Sequence, residues 1–229
     1  MQALFAQEPW LFLICAGVFG ALIGSFLNVV IYRLPVMMEH AWQDELADAQ
    51  GNEPAPRERF NLVVPRSRCG QCGHAITALE NIPIISWLAL RGRCSACGTR
   101  ISARYPLVEA ATAALFVTCA WHFGFTFQAL AAMTFCAVLV TLTGIDLDTQ
   151  LLPDQLTLPL LWLGLLVNLF AMFAHLPDAV IGAAAGYLVL WSVYWLFKLV
   201  TGREGMGYGD FKLLGALGAW FGWQALPML

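Results

Sequence analysis

Two aspartates, Asp146 and Asp210, each lie at the polar end of a long apolar segment. An ionisable residue at a membrane segment is energetically unfavourable, so it is a candidate functional residue by default. Two carboxylates that meet can share one proton, and the pair can then supply both an acid and a base to one water molecule. The pattern predicts general acid–base hydrolysis by an aspartyl dyad, and it leaves open which aspartate is the base.

The residues around Asp210 favour chemistry at that position. Gly205, Gly207 and Gly209 alternate before it, so the bare backbone can approach an extended substrate strand closely. Lys212 follows, and its positive charge would stabilise a carboxylate nearby. We therefore expect Gly207, Gly209 and Lys212 to support the active site.

The neighbouring acidic residues also allow simpler interpretations. Asp148 could support Asp146, or it could be a solvated turn residue. Asp154 directly precedes an apolar run, which predicts that it is a helix N-cap. Asp210 could be an N-cap as well, since the last apolar segment begins at Phe211.

Four cysteines form two C-x2-C pairs with 21 residues between them, and each pair is followed by glycine: Cys69, Cys72, Cys94 and Cys97. This spacing predicts a structural zinc site. A redox-active thiol pair is the alternative, and it would require thiols with perturbed pKa values. Four cysteines fill the coordination shell of zinc, so the metal would stabilise a small polar domain and would not be the catalyst. The other cysteines lie in apolar segments and are assigned no role: Cys15, Cys119 and Cys136.

The composition indicates an all-α polytopic membrane protein. Of the 229 residues, 59% are hydrophobic and only 12% are charged, with a mean hydropathy of +0.69, whereas a soluble domain has about 25% charged residues. Spanning a bilayer takes about 20 apolar residues, which predicts six transmembrane helices: roughly 10–32, 105–122, 126–145, 155–174, 179–198 and 211–229. Glycines spaced four apart predict close helix packing at three places: Gly20 and Gly24, Gly182 and Gly186, and Gly218 and Gly222.

Three domains follow from this pattern: a first transmembrane helix at 1–35, a polar cytoplasmic insertion at 36–104 that contains the four cysteines, and a protease core at 105–229. Within the insertion, residues 37–59 predict a helix followed by a loop at 52–56. Arg33, Arg100 and Arg104 flank the insertion, and basic residues near membrane ends mark the cytoplasmic side. Alternation of the helices then puts Asp146 and Asp210 on the same cytoplasmic edge.

Other functional classes receive less support from the sequence. There is no Gly-x-Ser-x-Gly, His-Glu-x-x-His or phosphate-binding loop, and the four histidines share no motif. A proton-relay transporter would place acidic residues near the middle of the bilayer. A non-catalytic zinc scaffold would tolerate loss of either aspartate, and an intramembrane protease of other substrates would cut deeper in the membrane.

Long strings of residues, in order, resemble the type IV prepilin peptidases, the bifunctional leader peptidases and N-methyltransferases of type IV pilus and type II secretion systems. The similar strings cover nearly the whole chain: residues 24–35, 65–69, 80–83, 86–88, 91–94, 104–109, 151–154 and 207–212. Members of this family usually continue beyond the Gly-x-Gly-Asp helix with further hydrophobic segments, so the resemblance implies more helices than this chain contains.

The resemblance implies a complete activity for the chain. Leader peptides of prepilins and pseudopilins would be cleaved after a glycine, on the cytoplasmic side of the bacterial inner membrane. The new N-terminal residue, usually phenylalanine, would then be methylated with S-adenosylmethionine. Asp146 and Asp210 would be the catalytic pair, the cysteine tetrad would bind zinc, and the partners would be these substrates and the lipid bilayer, with no nucleic acid. The sequence contains no Rossmann-type fingerprint, and no residue is assigned to S-adenosylmethionine.

Overall fold

The computed structural model describes residues 8–53, 56–203 and 205–229, and within these ranges it is helical, with no strand. The α-helices are α1 (Pro9–Ala49), α2 (Ile85–Ala89), α3 (Arg104–Phe123), α4 (Phe127–Thr149), α5 (Asp154–Asn168), α6 (Leu176–Thr201) and α7 (Tyr208–Phe221). A 3-10 helix, Trp223–Met228, follows. The chain divides into two compact units, Met1–Ile145 and Asp146–Leu229. The all-α prediction is confirmed, whereas the three-domain division at 35 and 104 stays a prediction.

Four of the described helices are long and apolar enough to cross a membrane: α1, α3, α4 and α6. The predicted segments 155–174 and 211–229 form the shorter helices α5 and α7, of 15 and 14 residues, against the roughly 20 residues that a bilayer requires. The chain is therefore a multi-pass helical membrane protein, and the number six stays a prediction.

In the first unit, α1 packs closely along α3 because α1 presents glycine at the contact. A Cβ atom on Gly24 would lie 2.7 Å from the Cα atom of Glu109, and one on Gly20 would lie 2.8 Å from the Cα atom of Ala113. Any larger residue would push the helices apart. One turn further along, the Asn28 side-chain amide donates a hydrogen bond to the Tyr105 carbonyl at 3.1 Å.

The first helix is longer than the predicted membrane segment, because α1 continues without interruption into the polar insertion. Pro35 lies inside it, and the helix ends only at Ala49. The predicted helix at 37–59 is thus the end of α1, and Pro54 and Ala55 of the predicted loop lie outside the described residues. The chain then folds back on α1, where the buried Arg33 guanidinium donates to the carbonyls of Asn61 (2.8 Å) and Pro65 (2.6 Å).

In the second unit, α6 and α7 pack through facing glycines. A Cβ atom on Gly218 would lie 2.1 Å from the Gly182 carbonyl oxygen, so the predicted close packing is present there. Gly222 has a different role, because its φ of +80° ends α7.

Asn168 ends α5 earlier than the apolar run suggested. Its buried amide nitrogen donates to the carbonyls of Ala219 and Trp220, both at 2.9 Å, and its amide oxygen accepts from the N–H groups of Phe173 and Ala174, both at 3.0 Å. If α5 continued, the N–H groups of Phe173 and Ala174 would bond to carbonyls of the same helix. Here the Asn168 amide oxygen accepts them instead.

Candidate active site and metal centre

The four cysteines lie on two matching turns. In the first, the Gly73 N–H donates to the Cys69 carbonyl, and in the second the Gly98 N–H donates to the Cys94 carbonyl, both at 2.9 Å. Both glycines have φ of +72°, a conformation that favours glycine. This explains why each C-x2-C pair is followed by glycine.

The two turns bring all four sulfur atoms within 4.8 Å of one another. The Sγ atoms of Cys69 and Cys97 are 3.8 Å apart, and those of Cys72 and Cys94 are 4.0 Å apart. With metal–sulfur bonds of about 2.3 Å, ligands of a tetrahedral site are about 3.8 Å apart. The cysteines therefore fit a four-coordinate metal ion, as their spacing predicted.

The electrostatics of the cluster also suit a cation. Hydrogen bonds with the Thr99 side chain and the Thr99 N–H lower the pKa of Cys97 to about 6. The backbone N–H of His74 favours ionisation of Cys72, but the neighbouring thiols and burial outweigh it and raise the pKa of Cys72 to about 11. Four thiols this close cannot all ionise by themselves, whereas a bound cation would favour four thiolates.

A polar network surrounds the cysteine cluster. The Glu80 carboxylate accepts hydrogen bonds from the Ser95 hydroxyl and from the Thr77 N–H (2.8 Å), and it lies 3.3 Å from the His74 Nε2. These contacts, with that from Ser95 the largest, lower the pKa of Glu80 to about 2. The network ties the first cysteine turn to the second, because Ser95 lies between Cys94 and Cys97.

Asp146 and Asp148 both lie in the last turn of α4, and both are exposed. The helix ends directly after them, where the Gln150 N–H donates to the Asp146 carbonyl at 2.8 Å and Gln150 has a φ of +54°. Residues two apart on a helix do not face each other. Asp148 therefore points away from the face that carries Asp146.

Asp210 lies in the first turn of α7 and is half-buried. Gly207 is the N-cap, so the interpretation of Asp210 as the cap is wrong: the helix begins at Tyr208, three residues before the apolar run starts. A Cβ atom on Gly207 would meet only the Asp210 Oδ2, at 3.8 Å. The backbone is thus open at Gly207, whereas a Cβ atom on Gly205 would lie 2.8 Å from the Phe197 ring.

Gly209 and Lys212 connect this turn to the segment that follows α4. A Cβ atom on Gly209 would lie 2.6 Å from the Cβ atom of Leu152, so the contact leaves no room for a side chain at position 209. The Lys212 ammonium bonds both carboxylate oxygens of Asp154, at 2.6 and 2.7 Å. The N-cap prediction for Asp154 is wrong, because Pro153 is the N-cap of α5 and the Asp154 side chain binds Lys212 instead.

Comparison with known proteins identifies the family. Residues 133–229 match the type IV leader peptidase family, and residues 18–123 match the bacterial peptidase A24 N-terminal domain. Proteins named prepilin leader peptidase/N-methyltransferase are 60% identical in Stutzerimonas stutzeri, 58% in Pseudomonas putida and 61% in Aeromonas hydrophila. The chain belongs to the type IV leader peptidase family.

These matches extend over most of both sequences. They cover 97%, 97% and 96% of this chain, and 78%, 77% and 77% of the three relatives, respectively. No solved structure matches the chain. Family membership favours the peptidase interpretation over the transporter and scaffold alternatives.

An aromatic cluster in this leader peptidase was not anticipated from the sequence. Tyr208 and Phe211, which flank Gly209 and Asp210, pack against the buried Tyr194 of α6 with ring centroids 5.3 and 5.6 Å apart. The cluster fixes the first turn of α7 on α6. The only signal for it was the position of two aromatic residues around the Gly-Asp pair.

A shallow apolar pocket of about 160 Å³ opens beside this cluster. It lies next to the backbone that leads to Asp210 and is lined by Val193, Tyr194, Phe197, Gly205 and Met206. An apolar substrate side chain would find a complementary surface there.

Proposed function

We propose that this chain is a membrane aspartic endopeptidase that cleaves the leader peptides of type IV prepilins and pseudopilins, and then methylates the new N-terminal residue, usually phenylalanine. The relatives' shared name supports both activities. We further propose that Asp146 and Asp210 are the catalytic pair, at the cytoplasmic edge of the bacterial inner membrane.

One observation carries the assignment of the pair. The turn that contains Asp210 contacts the short link after α4 through Gly209 and Leu152, and again through Lys212 and Asp154. Leu152 is six residues after Asp146, since 152 − 146 = 6. Asp146 and Asp210 are 64 residues apart in sequence (210 − 146), and the segments that follow Asp146 and surround Asp210 are in contact.

The proposed reaction is general acid–base hydrolysis of a peptide bond. An ionised carboxylate takes a proton from water while the oxygen of that water attacks the scissile carbonyl carbon. The protonated partner donates a hydrogen bond to the carbonyl oxygen, which stabilises the developing negative charge. Proton transfer to the departing amine then releases the mature pilin and the leader peptide.

We propose Zn²⁺ as the metal of the cysteine cluster. Thiolate sulfur is a ligand that zinc prefers, and four thiolates leave no open coordination position. Zinc would hold together residues 69–98, a stretch in which the five-residue α2 is the longest regular element. Its role would be structural, and the aspartates would perform the hydrolysis.

For methylation we propose S-adenosylmethionine as the co-substrate, because N-methylation requires a methyl donor and the relatives carry this activity in their name. Cleavage creates the acceptor, a free N-terminal amine. We assign no residue of this chain to that step.

The test measures cleavage of purified prepilin by the full chain in lipid nanodiscs. We expect Asp146→Asn and Asp210→Asn each to lower the cleavage rate by roughly 10²–10⁴-fold, the usual contribution of an acid or base. Asp148→Asn is the matched control, with the same change in the same helical turn but on another face. Pre-cleaved pilin with labelled S-adenosylmethionine separately reports methylation.

The outcomes separate the parts of the proposal. Cleavage near the wild-type rate in Asp146→Asn or Asp210→Asn would remove that residue from the dyad. Equal losses of cleavage rate in Asp148→Asn and Asp146→Asn would show that cleavage depends on the negative charge of this helix end, and not on the Asp146 carboxylate in particular. Wild-type protein that cleaves but never methylates pre-cleaved pilin would reject the second activity alone.

A further inference from the structure

The cysteine-containing insertion has an exposed apolar face around α2. Leu79 is 78% exposed, Ile85 65% and Leu88 61%, and Ile82 is also exposed. Ile85 and Leu88 are three residues apart in α2, so they share one side of the helix. A contiguous apolar surface of this kind marks an interaction site.

The depth of this face follows from one hydrogen bond. The Ile84 N–H donates to the Glu109 carboxylate at 2.7 Å, and Glu109 belongs to the membrane helix α3. Glu109 is five residues after Arg104, the first residue of α3 (109 − 104 = 5), which corresponds to about 7–8 Å along the helix axis. The start of α2 thus lies beside the first two turns of a helix that is long and apolar enough to cross a membrane. Interfacial helices bury their apolar side about 5–10 Å into the boundary between headgroups and acyl chains.

The position of Ile84 is held firmly. It adopts a φ of +62°, which is unfavourable for a β-branched residue. Glu109 is 7% exposed, and the Ser25 side chain of α1 also hydrogen-bonds its carboxylate. Such a conformation persists only where the surroundings determine it.

A second contact sets the orientation of α2. The Trp87 Nε1–H donates to the Ile101 carbonyl at 3.2 Å, and the Trp87 ring packs over Gly92. Trp87 therefore faces residues that flank the second cysteine turn, and Ile85 and Leu88 lie on a different side of α2.

An exposed apolar residue also lies at the level of Glu109 in α3. Leu107 is 69% exposed and, two residues from Glu109, it lies on another side of this membrane helix. Directly after α2 come the exposed Arg91 and Arg93, whose long side chains reach headgroup level while apolar neighbours stay deeper. Apolar side chains followed by cations are complementary to a phospholipid surface.

We propose that residues 79–88 form an interfacial anchor, in which Leu79, Ile82, Ile85 and Leu88 insert into the leaflet adjoining the insertion. Its partner is phospholipid. The anchor fixes the cysteine cluster beside the membrane surface, and it depends on neither catalytic aspartate.

Photo-crosslinking tests the anchor in the full chain. Benzoylphenylalanine is placed at Ile85 or Leu88, and the protein is reconstituted in nanodiscs of phosphatidylethanolamine and phosphatidylglycerol. Leu107→benzoylphenylalanine is the lipid-facing reference. Prepilin cleavage and a monodisperse gel-filtration profile confirm that each variant is folded.

Val63 provides the matched control, because it is apolar and 79% exposed in the same insertion. The carbonyls of Asn61 and Pro65, on either side of Val63, accept hydrogen bonds from Arg33 of α1. Arg33 is nine residues beyond Gly24 (33 − 24 = 9), and Gly24 is the α1 residue that packs against Glu109. Nine helical residues correspond to about 13 Å, so Val63 lies outside the acyl region if the anchor lies within it.

Mass spectrometry of the irradiated protein decides the outcome. We expect roughly fivefold or more lipid adduct at Ile85 and Leu88 than at Val63, approaching the yield at Leu107, because only the anchor reaches the acyl boundary. Equal yields at Ile85 and Val63 would overturn the proposal. So would adducts at Ile85 that form with added prepilin, or with a second copy of the chain, in place of lipid.

Discussion

The cysteine cluster and the aspartate pair are assembled over very different sequence distances. Each cysteine turn closes within five residues, Cys69–Gly73 and Cys94–Gly98, through one backbone hydrogen bond and one glycine with positive φ. The aspartate segments instead meet through contacts between residues distant in sequence, in which Gly209 packs against Leu152 and Lys212 binds Asp154. The geometry of each cysteine turn therefore depends on residue types within that turn. The geometry of the aspartate pair depends on how closely residues that are distant in sequence can pack.

This difference implies different ways to damage the two sites. Loss of a ligand or of the metal should affect the cysteine cluster, because little regular structure surrounds it. Small increases in side-chain volume should affect the aspartate site, because Gly209 packs against Leu152 with no room for a side chain. The following predictions test this contrast.

The largest effect is expected for Cys72→Ser. Structural zinc contributes about 10–16 kcal/mol of binding free energy in small zinc-dependent domains, so loss of one ligand should unfold the insertion. We expect zinc content to fall below one ion per chain and hydrogen exchange to accelerate in residues 65–101. Amides of α6 and α7 should keep their protection.

Cys15→Ser is the control, since it removes a cysteine from α1 outside the cluster. It should retain metal and slow exchange. If Cys72→Ser also exposed α6 and α7 to exchange, the two regions would not be separable, and the contrast would fail.

Gly209→Ala should lower the cleavage rate by roughly 100-fold, because its Cβ atom would lie 2.6 Å from that of Leu152 and misplacement of a catalytic group by about 1 Å can cost a factor of this size. The measurement is the single-turnover cleavage rate in nanodiscs. Combination with Leu152→Gly removes the opposing Cβ atom and should restore much of the rate. A Gly209→Ala protein of normal activity would show that this contact does not position Asp210.

The same contrast explains which features the sequence could predict. The C-x2-C spacing and the following glycines define the cysteine cluster locally, so the close approach of all four sulfur atoms could be predicted, whereas their role as zinc ligands stays a prediction. Helix ends were harder, because α1 continues through Pro35 to Ala49 and α5 ends at Asn168, where a side-chain amide binds the backbone of α7. Lys212 was expected beside Asp210, yet it binds Asp154, a partner 58 residues away. Such pairings depend on tertiary packing, which periodicity does not reveal.

Gly218→Ala should reduce stability by about 1–3 kcal/mol, the usual cost of overpacking. Its Cβ atom would lie 2.1 Å from the Gly182 carbonyl oxygen, so α6 and α7 must separate. Gly70→Ala makes the same change in the first cysteine turn, where no atom lies within 4 Å, and should be nearly neutral. Thermal unfolding in detergent compares them. A larger loss for Gly70→Ala would contradict the idea that packing limits the contact between α6 and α7 more than it limits the cysteine turn.

The smallest effect concerns two similar ion pairs, one in each unit. Lys212 and Asp154 are 2.6 Å apart with side chains 26% and 53% exposed, and Arg57 and Asp44 are 3.0 Å apart with side chains 26% and 45% exposed. Exposed pairs contribute about 0.2–1 kcal/mol, so double-mutant cycles of unfolding with Lys212→Met/Asp154→Asn and Arg57→Met/Asp44→Asn should give similar, small coupling energies. The cleavage rate should nevertheless fall more when the Lys212–Asp154 pair is removed than when the Arg57–Asp44 pair is removed. Of the two pairs, only Lys212–Asp154 joins the helix that carries Asp210 to the segment that follows Asp146. Equal effects on cleavage would mean that Lys212 and Asp154 stabilise the fold without positioning the aspartates.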